Sequence, residues 1–313
     1  MHRALLWATA LVTACAAPRI PADPILPASS ALGAIATVQP CVMVQDSYET
    51  DRSDAIEGGE GKTRMVFASI LVNHPKHGPI VIDPGVGKEK AHDYGEIPWL
   101  LRRIIGDGHA AKPLAETLAD AHVAPEAVRW VLVTHMHWDH FAGATDVPLA
   151  SVVMSATDLA WTRKASVLFW DVTPQDFLER LTGRLKPIPF DGPAYEGFPS
   201  SHDLLGDGSV VAVPTPGHTP GSTSWFVNSG DGRRWLFIGD AAFVEEGIRK
   251  PAQKGWLVRK ADAEGEETAS SLALLHAISV ARPPTQPPDG KGIDIIVAHD
   301  PLSLQKLPAC GKP

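Results

Sequence analysis

Thr134-His135-Met136-His137-Trp138-Asp139-His140 is the stretch that decides how this chain is read. It follows directly on Trp130–Thr134, an apolar run without alternation, which predicts a strand buried on both faces. His135 and His137 are two residues apart, so in extended chain they point to one side. Asp139 and His140 come where the chain turns toward a helix. One tight turn thus presents imidazoles and a carboxylate to a small volume, and both are good donors to zinc and similar divalent cations. Unpaired polar groups at the end of a buried strand are costly. A metal site is therefore expected here, rather than a surface loop that happens to be rich in histidine.

Around this stretch, strand and helix signals alternate. Val66–Val72 and Ile80–Asp83 are apolar runs separated by turn chemistry at Asn73–Pro79, where His74 and His77 read as solvated. Asp46 to Lys62 is polar and Gly-rich and predicts a loop. Trp99–Ile105 and Leu114–Ala121 have helical spacing. Val152–Ser155 predicts a strand, and Thr157 starts a helix. In the second half, Val210–Val213, Ser222–Val227, Trp235–Ile238 and Ile293–Ala298 predict strands. Glu267–Val280 predicts an amphipathic helix with Leu272, Leu275 and Ile278-Ser279 facing inward, before the Pro-rich loop Arg282–Lys291. Strands in both halves with helices between them suggest face-to-face sheets covered outside by helices.

The run H-x-H-x-D-H resembles the signature of the metallo-β-lactamase-fold hydrolases, and the resemblance extends over residues 65–300. Ile82-Asp83-Pro84-Gly85 resembles that family's early Asp turn. Thr215-Pro216-Gly217-His218-Thr219-Pro220-Gly221-Ser222 resembles the loop carrying the third His. Ile238-Gly239-Asp240-Ala241 resembles the turn with a bridging Asp, and Ala298-His299-Asp300 the strand end with the last His. The resemblance implies an α/β fold, an αββα sandwich of two facing mixed β-sheets with helices on the outer faces. It assigns His135, His137 and His218 to one metal and Asp139, His140 and His299 to another, with Asp240 bridging. Asp83 is expected to orient the His-bearing loop. Two divalent ions per chain follow, zinc first, with iron, cobalt or manganese as alternatives. Such a pair would lower the pKa of a bridging water so that hydroxide exists near neutral pH. Asp139 and Asp240 would be the catalytic carboxylates, Asp139 shuttling the proton.

Within the family, the sequence resembles the N-acyl-homoserine lactonase and organophosphate-hydrolase branch. Asp240 stands where β-lactamases of this fold usually carry Cys or Ser, which makes penicillin hydrolysis improbable as the main activity. Lactonases commonly carry Tyr three residues after the bridging Asp, and here that residue is Phe243. The expected substrates are lactones or related esters with an apolar portion. The alternatives are organophosphate, aryl ester or thioester hydrolysis, iron-dependent persulfide oxidation, and metal binding without turnover. Trp138 and Phe243 are candidate pocket residues. Phe141, Trp161, Phe169, Trp170 and Trp256 lie near the motifs, half or more of them expected in the core. Residues 46–64 and 156–200 are candidate rims.

The chain has 313 residues, 44% of them hydrophobic, and a formal charge of −8. That suits one large α/β domain and argues against nucleic-acid binding, which needs clustered Lys and Arg. Arg3 followed by the short apolar run Ala4–Ala14 reads as a signal peptide over residues 1–14. Val12-Thr13-Ala14-Cys15 resembles a bacterial lipobox, with Cys15 as the lipidated residue. Residues 15–30 form a tether, and 31–313 form the domain. The expectation is an exported protein on the periplasmic side, touching the membrane only through its lipid, or else soluble there; a homodimer is allowed. With Cys15 so used, Cys41 and Cys310 remain, and export favours a disulfide between them over two buried thiols.

Overall fold

Apolar runs with no polar alternation become strands that serve two cores at once. The computed structural model describes residues 35–96, 111–164, 176–283 and 292–311. Among these residues, the first sheet holds β1 (Pro40–Asp51), β2 (Lys62–His74), β3 (Gly78–Ile82), β4 (Trp130–Leu132), β5 (Ser151–Ser155) and β6 (Leu185–Ile188), in that order. The first three pair antiparallel, and β3 through β6 pair parallel. The second sheet has the order β11-β10-β9-β8-β7, from β7 (His202–Asp203), β8 (Val210–Pro214), β9 (Thr223–Asn228), β10 (Arg234–Phe237) and β11 (Asp294–Ile296). Its pairs are antiparallel except β10 with β11.

The two-residue period of a strand decides which core each side chain enters. Ile80, Ile82, Leu132 and Val153 face the second sheet's Val210, Ala212, Trp225 and Ile296. Their neighbours Val81, Val131 and Val152 point the other way, onto Leu114 and Leu118 of α1 (Leu114–Asp120) and onto Phe177. Val211, Val213 and Leu236 do the same on the far side, against Leu272, Leu275 and Ile278 of α2 (Gly265–Ala281). The result is the αββα sandwich of two mixed sheets.

Three expectations differ from what forms. Asp46–Lys62 is not a loop throughout: β1 runs to Asp51 and pairs with β2 from Lys62, joined by the short helix Arg52–Ala55 and a turn. This end of the hairpin alternates exposed with half-buried positions, so it carries polar residues, and polarity misled the reading. His74 is not solvated; it is 3% exposed. Its Nδ1 accepts the backbone N–H of Lys76 and His77, so Nε2 bears the proton and lies 3.3 Å from the Asp207 carboxylate. Burial lowers its pKa, and the neutral ring ties the β2–β3 turn to a distant one. Ser279 is half-buried rather than inward.

Cys41 and Cys310 form a disulfide, and Val42 pairs with Ala309 beside it. No helix among the described residues is long and apolar enough to cross a membrane. Cys15, the signal segment, the tether, Trp99–Ile105, Phe169, Trp170 and most of the Pro-rich loop lie outside the described residues.

Candidate metal centre

The site gathers at the C-terminal ends of five strands. Asp83 follows β3, the 135–140 turn follows β4, His218 follows β8, Asp240 follows β10 and His299 follows β11. Two close approaches make this possible. Gly239 has φ +52, and a Cβ there would lie 2.5 Å from Thr134 Oγ1. Gly217 has φ +133, and its Cβ would meet the Thr268 backbone at 2.2 Å. Only glycine lets these turns close on the site.

Seven side chains converge. His135, His137 and His218 form one cluster of donor atoms; Asp139, His140 and His299 form another; Asp240 adjoins both. Asp240 Oδ1 is 3.2 Å from His140 Nε2 and 3.1 Å from His299 Nε2. Its Oδ2 is 3.4 Å from His218 Nε2 and 4.0 Å from His135 Nε2. One carboxylate thus offers one oxygen to each triad. Asp139 Oδ2 lies 3.7 Å from both His140 and His299 and is the most exposed of the acids here, at 15%.

The outer nitrogens decide what this arrangement means. Asp83 accepts from the Thr134 backbone N–H at 2.7 Å, the Thr134 hydroxyl at 2.8 Å and His140 Nδ1 at 2.9 Å. Thr134 Oγ1, its proton spent on Asp83, accepts from His135 Nδ1 at 3.1 Å. His299 Nδ1 donates to the Val66 carbonyl at 2.8 Å, and His218 Nδ1 to Asp262 at 2.8 Å. Neutral rings held in this way carry lone pairs on Nε2. Yet His140 Nε2 and His299 Nε2 face each other at 3.2 Å, and His218 Nε2 faces His137 Nδ1 at 3.0 Å. His135 Nε2 is buried without a hydrogen-bond partner. Ring nitrogens this close in a buried space, with an unpartnered Nε2 among them and a carboxylate between the clusters, are a donor set that fits a pair of divalent ions.

The same crowding shifts the ionisation of the protein groups. Burial, reinforced by neighbouring imidazoles, drives His135 and His137 well below the ordinary histidine range. Burial and the Lys254 ammonium lower His218. At His140 and His299 burial also acts downward, but Asp240 and Asp139 outweigh it and raise both. Burial pushes Asp240 up, while His299 and His140 hold it well below the carboxylate range.

The proposed pocket residues separate. Trp138 is a core residue, 1% exposed and packed between Phe67 and Tyr94 at 5.8 Å from each ring. Its backbone lies within the turn, and its side chain points away from the ligands into the first sheet's outer core. Phe141 is likewise buried, and Trp256 is 62% exposed. Phe243 borders the site, its ring 5.4 Å from His299 and 6.5 Å from His218. Trp161 sits 6.4 Å from His137. Three groups by the site had no sequence signal. Tyr48, on the misread end of β1, stacks on Phe67 and shares an apolar cluster with Phe243. Lys254 and Asp262 stand behind His218.

Residues 63–287 match the Metallo-beta-lactamase superfamily. The chain belongs to that superfamily. It is 28% identical over 188 residues to a probable metallo-hydrolase of Mycobacterium tuberculosis, a match covering 57% of each chain. The chain thus spans under two thirds of that relative's length. It is 25% identical over 251 residues to the N-acyl homoserine lactonase AttM of Azorhizobium caulinodans, covering 76% of this chain and 84% of the relative. The fold matches the dizinc quorum-quenching lactonase AidC, solved with N-hexanoyl-homoserine product, with TM-score 0.59 and 14% identity, covering 85% of this chain and 89% of that one.

Proposed function

We propose that this chain is a metal-dependent hydrolase that opens lactones or related esters, holding two divalent cations, zinc first among the candidates. The observation that carries this reading is the Asp240 carboxylate, one oxygen beside each of two triads whose ring nitrogens face one another. Lactonase relatives support the substrate class. Two cations bound there would supply a water of lowered pKa and polarise the acyl oxygen.

The chain's own residues supply the rest. His135, His137, His218 and Asp240 would hold one ion; Asp139, His140, His299 and Asp240 the other. Asp139, the accessible carboxylate, is placed to take a proton at Oδ2 and pass it to the leaving oxygen. Phe243 and Trp161 give apolar walls for an acyl or aryl portion. Tyr48 takes the place of a phenol missing at 243. No described residue hydrogen-bonds its hydroxyl. Burial, then Asp139 and Asp240, keep that phenol protonated, with its pKa far above the usual tyrosine value, so it can donate to substrate oxygen. Export is part of the proposal: a disulfide persists in an oxidising compartment, with Cys15 as lipid anchor.

Metal-replete protein assayed on lactones, aryl esters and phosphotriesters, together with elemental analysis, tests this. Lactone or ester turnover with two metals per chain is expected. Two bound metals without turnover of any of these classes would overturn it, as would a single iron.

A further inference from the structure

Lys254 is 2% exposed, and everything its ammonium touches belongs to the metal centre or its support. It donates to the backbone carbonyl of Asp240 at 2.9 Å, pairs with the Asp262 carboxylate and lies 3.0 Å from His218 Nδ1. The same Asp262 oxygen is the acceptor of His218 Nδ1. The ammonium also stands 5.1 Å from the Phe243 ring centre. Two donors, one ammonium and one imidazole N–H, therefore converge on a single oxygen. His218 Nδ1 can in principle bond either neighbour. Bonded to Asp262 it carries the proton and leaves Nε2 free to ligate. Bonded to Lys254 it must accept, which puts the proton on Nε2 and abolishes ligation. Among the described residues, His140 and His299 have no such rival: His140 meets a carboxylate on its outer side, and His299 a carbonyl.

We propose that Lys254 and Asp262 are a positioning pair: Asp262 locks His218 in its ligating tautomer against the ammonium of Lys254, which in turn anchors the backbone of Asp240. This deepens the two-cation reading and rests on it. Its logic predicts an unusual mutational pattern. Asp262→Ala leaves the ammonium as the sole partner of Nδ1 and switches the tautomer. Removing Lys254 as well takes away the rival donor, so the double variant recovers part of what the single one lost. A merely structural ion pair would also be relieved when both charges go, so the tautomer of His218, not the recovery alone, separates the lock from a structural pair.

The test has two arms. The first is the 15N spectrum of labelled, metal-free full-length protein, read at His218 and so independent of how many ions bind. Wild type and Asp262→Asn, which keeps an acceptor oxygen, are expected to show protonated Nδ1; Asp262→Ala is expected to show protonated Nε2. The second is zinc and cobalt binding by chelator competition, with the cobalt absorption spectrum as a signature of the site. Asp262→Ala should bind one of the two ions about 10–100-fold more weakly, the usual scale for losing such a partner. Asp262→Asn should stay near wild type, and Lys254→Met/Asp262→Ala should bind more tightly than Asp262→Ala. Protonated Nε2 in wild-type His218 overturns the proposal whatever the variants do. So does a double variant that binds no better than Asp262→Ala. Wild type binding one ion while showing this tautomer pattern would sink the two-cation reading and leave the lock standing.

Discussion

The two halves of the metal centre are built in different ways. The 135–140 turn carries four donors within six residues, and Asp83, from the neighbouring strand, holds that turn at three points. His218, Asp240 and His299 come from three separate strand ends of the second sheet. They are held by a carbonyl of the first sheet at one position and by a buried ion pair at another. The first half is a local structure, braced by Asp83 and by Asp158, whose carboxylate accepts the Met136 N–H. The second is an assembly that exists only when the sheets are docked. A contiguous turn can be preorganised by its own hydrogen bonds, whereas the scattered half depends on packing from a distance.

The comparison breaks most completely at Asp240, the one group that belongs to both triads. Asp240→Ala should lower hydrolysis by about three orders of magnitude or more and release metal, measured by steady-state rates and elemental analysis; removing a charged bridge costs both ions. Asp83→Ala attacks the brace. It strands the Thr134 N–H and hydroxyl and His140 Nδ1, each a buried bond to a charged acceptor worth about 1.5–3 kcal/mol. A fall of several kcal/mol in unfolding free energy is expected by denaturant titration, together with weakened metal binding. Tyr48→Phe sharpens the functional side: kcat should fall by about 10–100-fold with KM little changed, and metal content should stay at two. The smallest effect is expected at Trp161→Leu, whose ring neighbours His137 without hydrogen-bonding it. It should raise KM for bulky acyl chains by less than about tenfold, read against a short-chain substrate.

The turn was legible because its chemistry is written in consecutive residues. So was the sandwich, since unbroken apolar runs such as Val152–Ser155 and Val210–Val213 have no reading other than burial on both faces. His218, Asp240 and His299 are unremarkable when taken singly and became readable only through the motifs around them. Lys254 could not be read at all. A lysine beside a glycine in an irregular polar stretch looks solvated, and only the docking of its loop beneath Asp240 buries it. Tyr48 was missed for a related reason, since the polar half of β1 hides a strand. His74 is the mirror case: the turn chemistry is real, but the carboxylate that buries the ring lies far along the chain. Trp138 shows that adjacency misleads too, because its backbone belongs to the site and its side chain to the core.

The bond between Cys41 and Cys310 has a consequence apart from stability. β1 is the outer strand of its sheet, and the segment around Ala309 lies along its beginning, with hydrogen bonds from Val42 N–H to the Pro308 carbonyl and from Cys310 N–H to the Val42 carbonyl. The crosslink therefore keeps a cover over an open rim of unpaired peptide groups, which is where sheets of separate molecules join. Reduction is expected to loosen this cover before the rest of the domain. The first symptom of losing this disulfide would then be self-association at the exposed rim, appearing before any change in the metal centre.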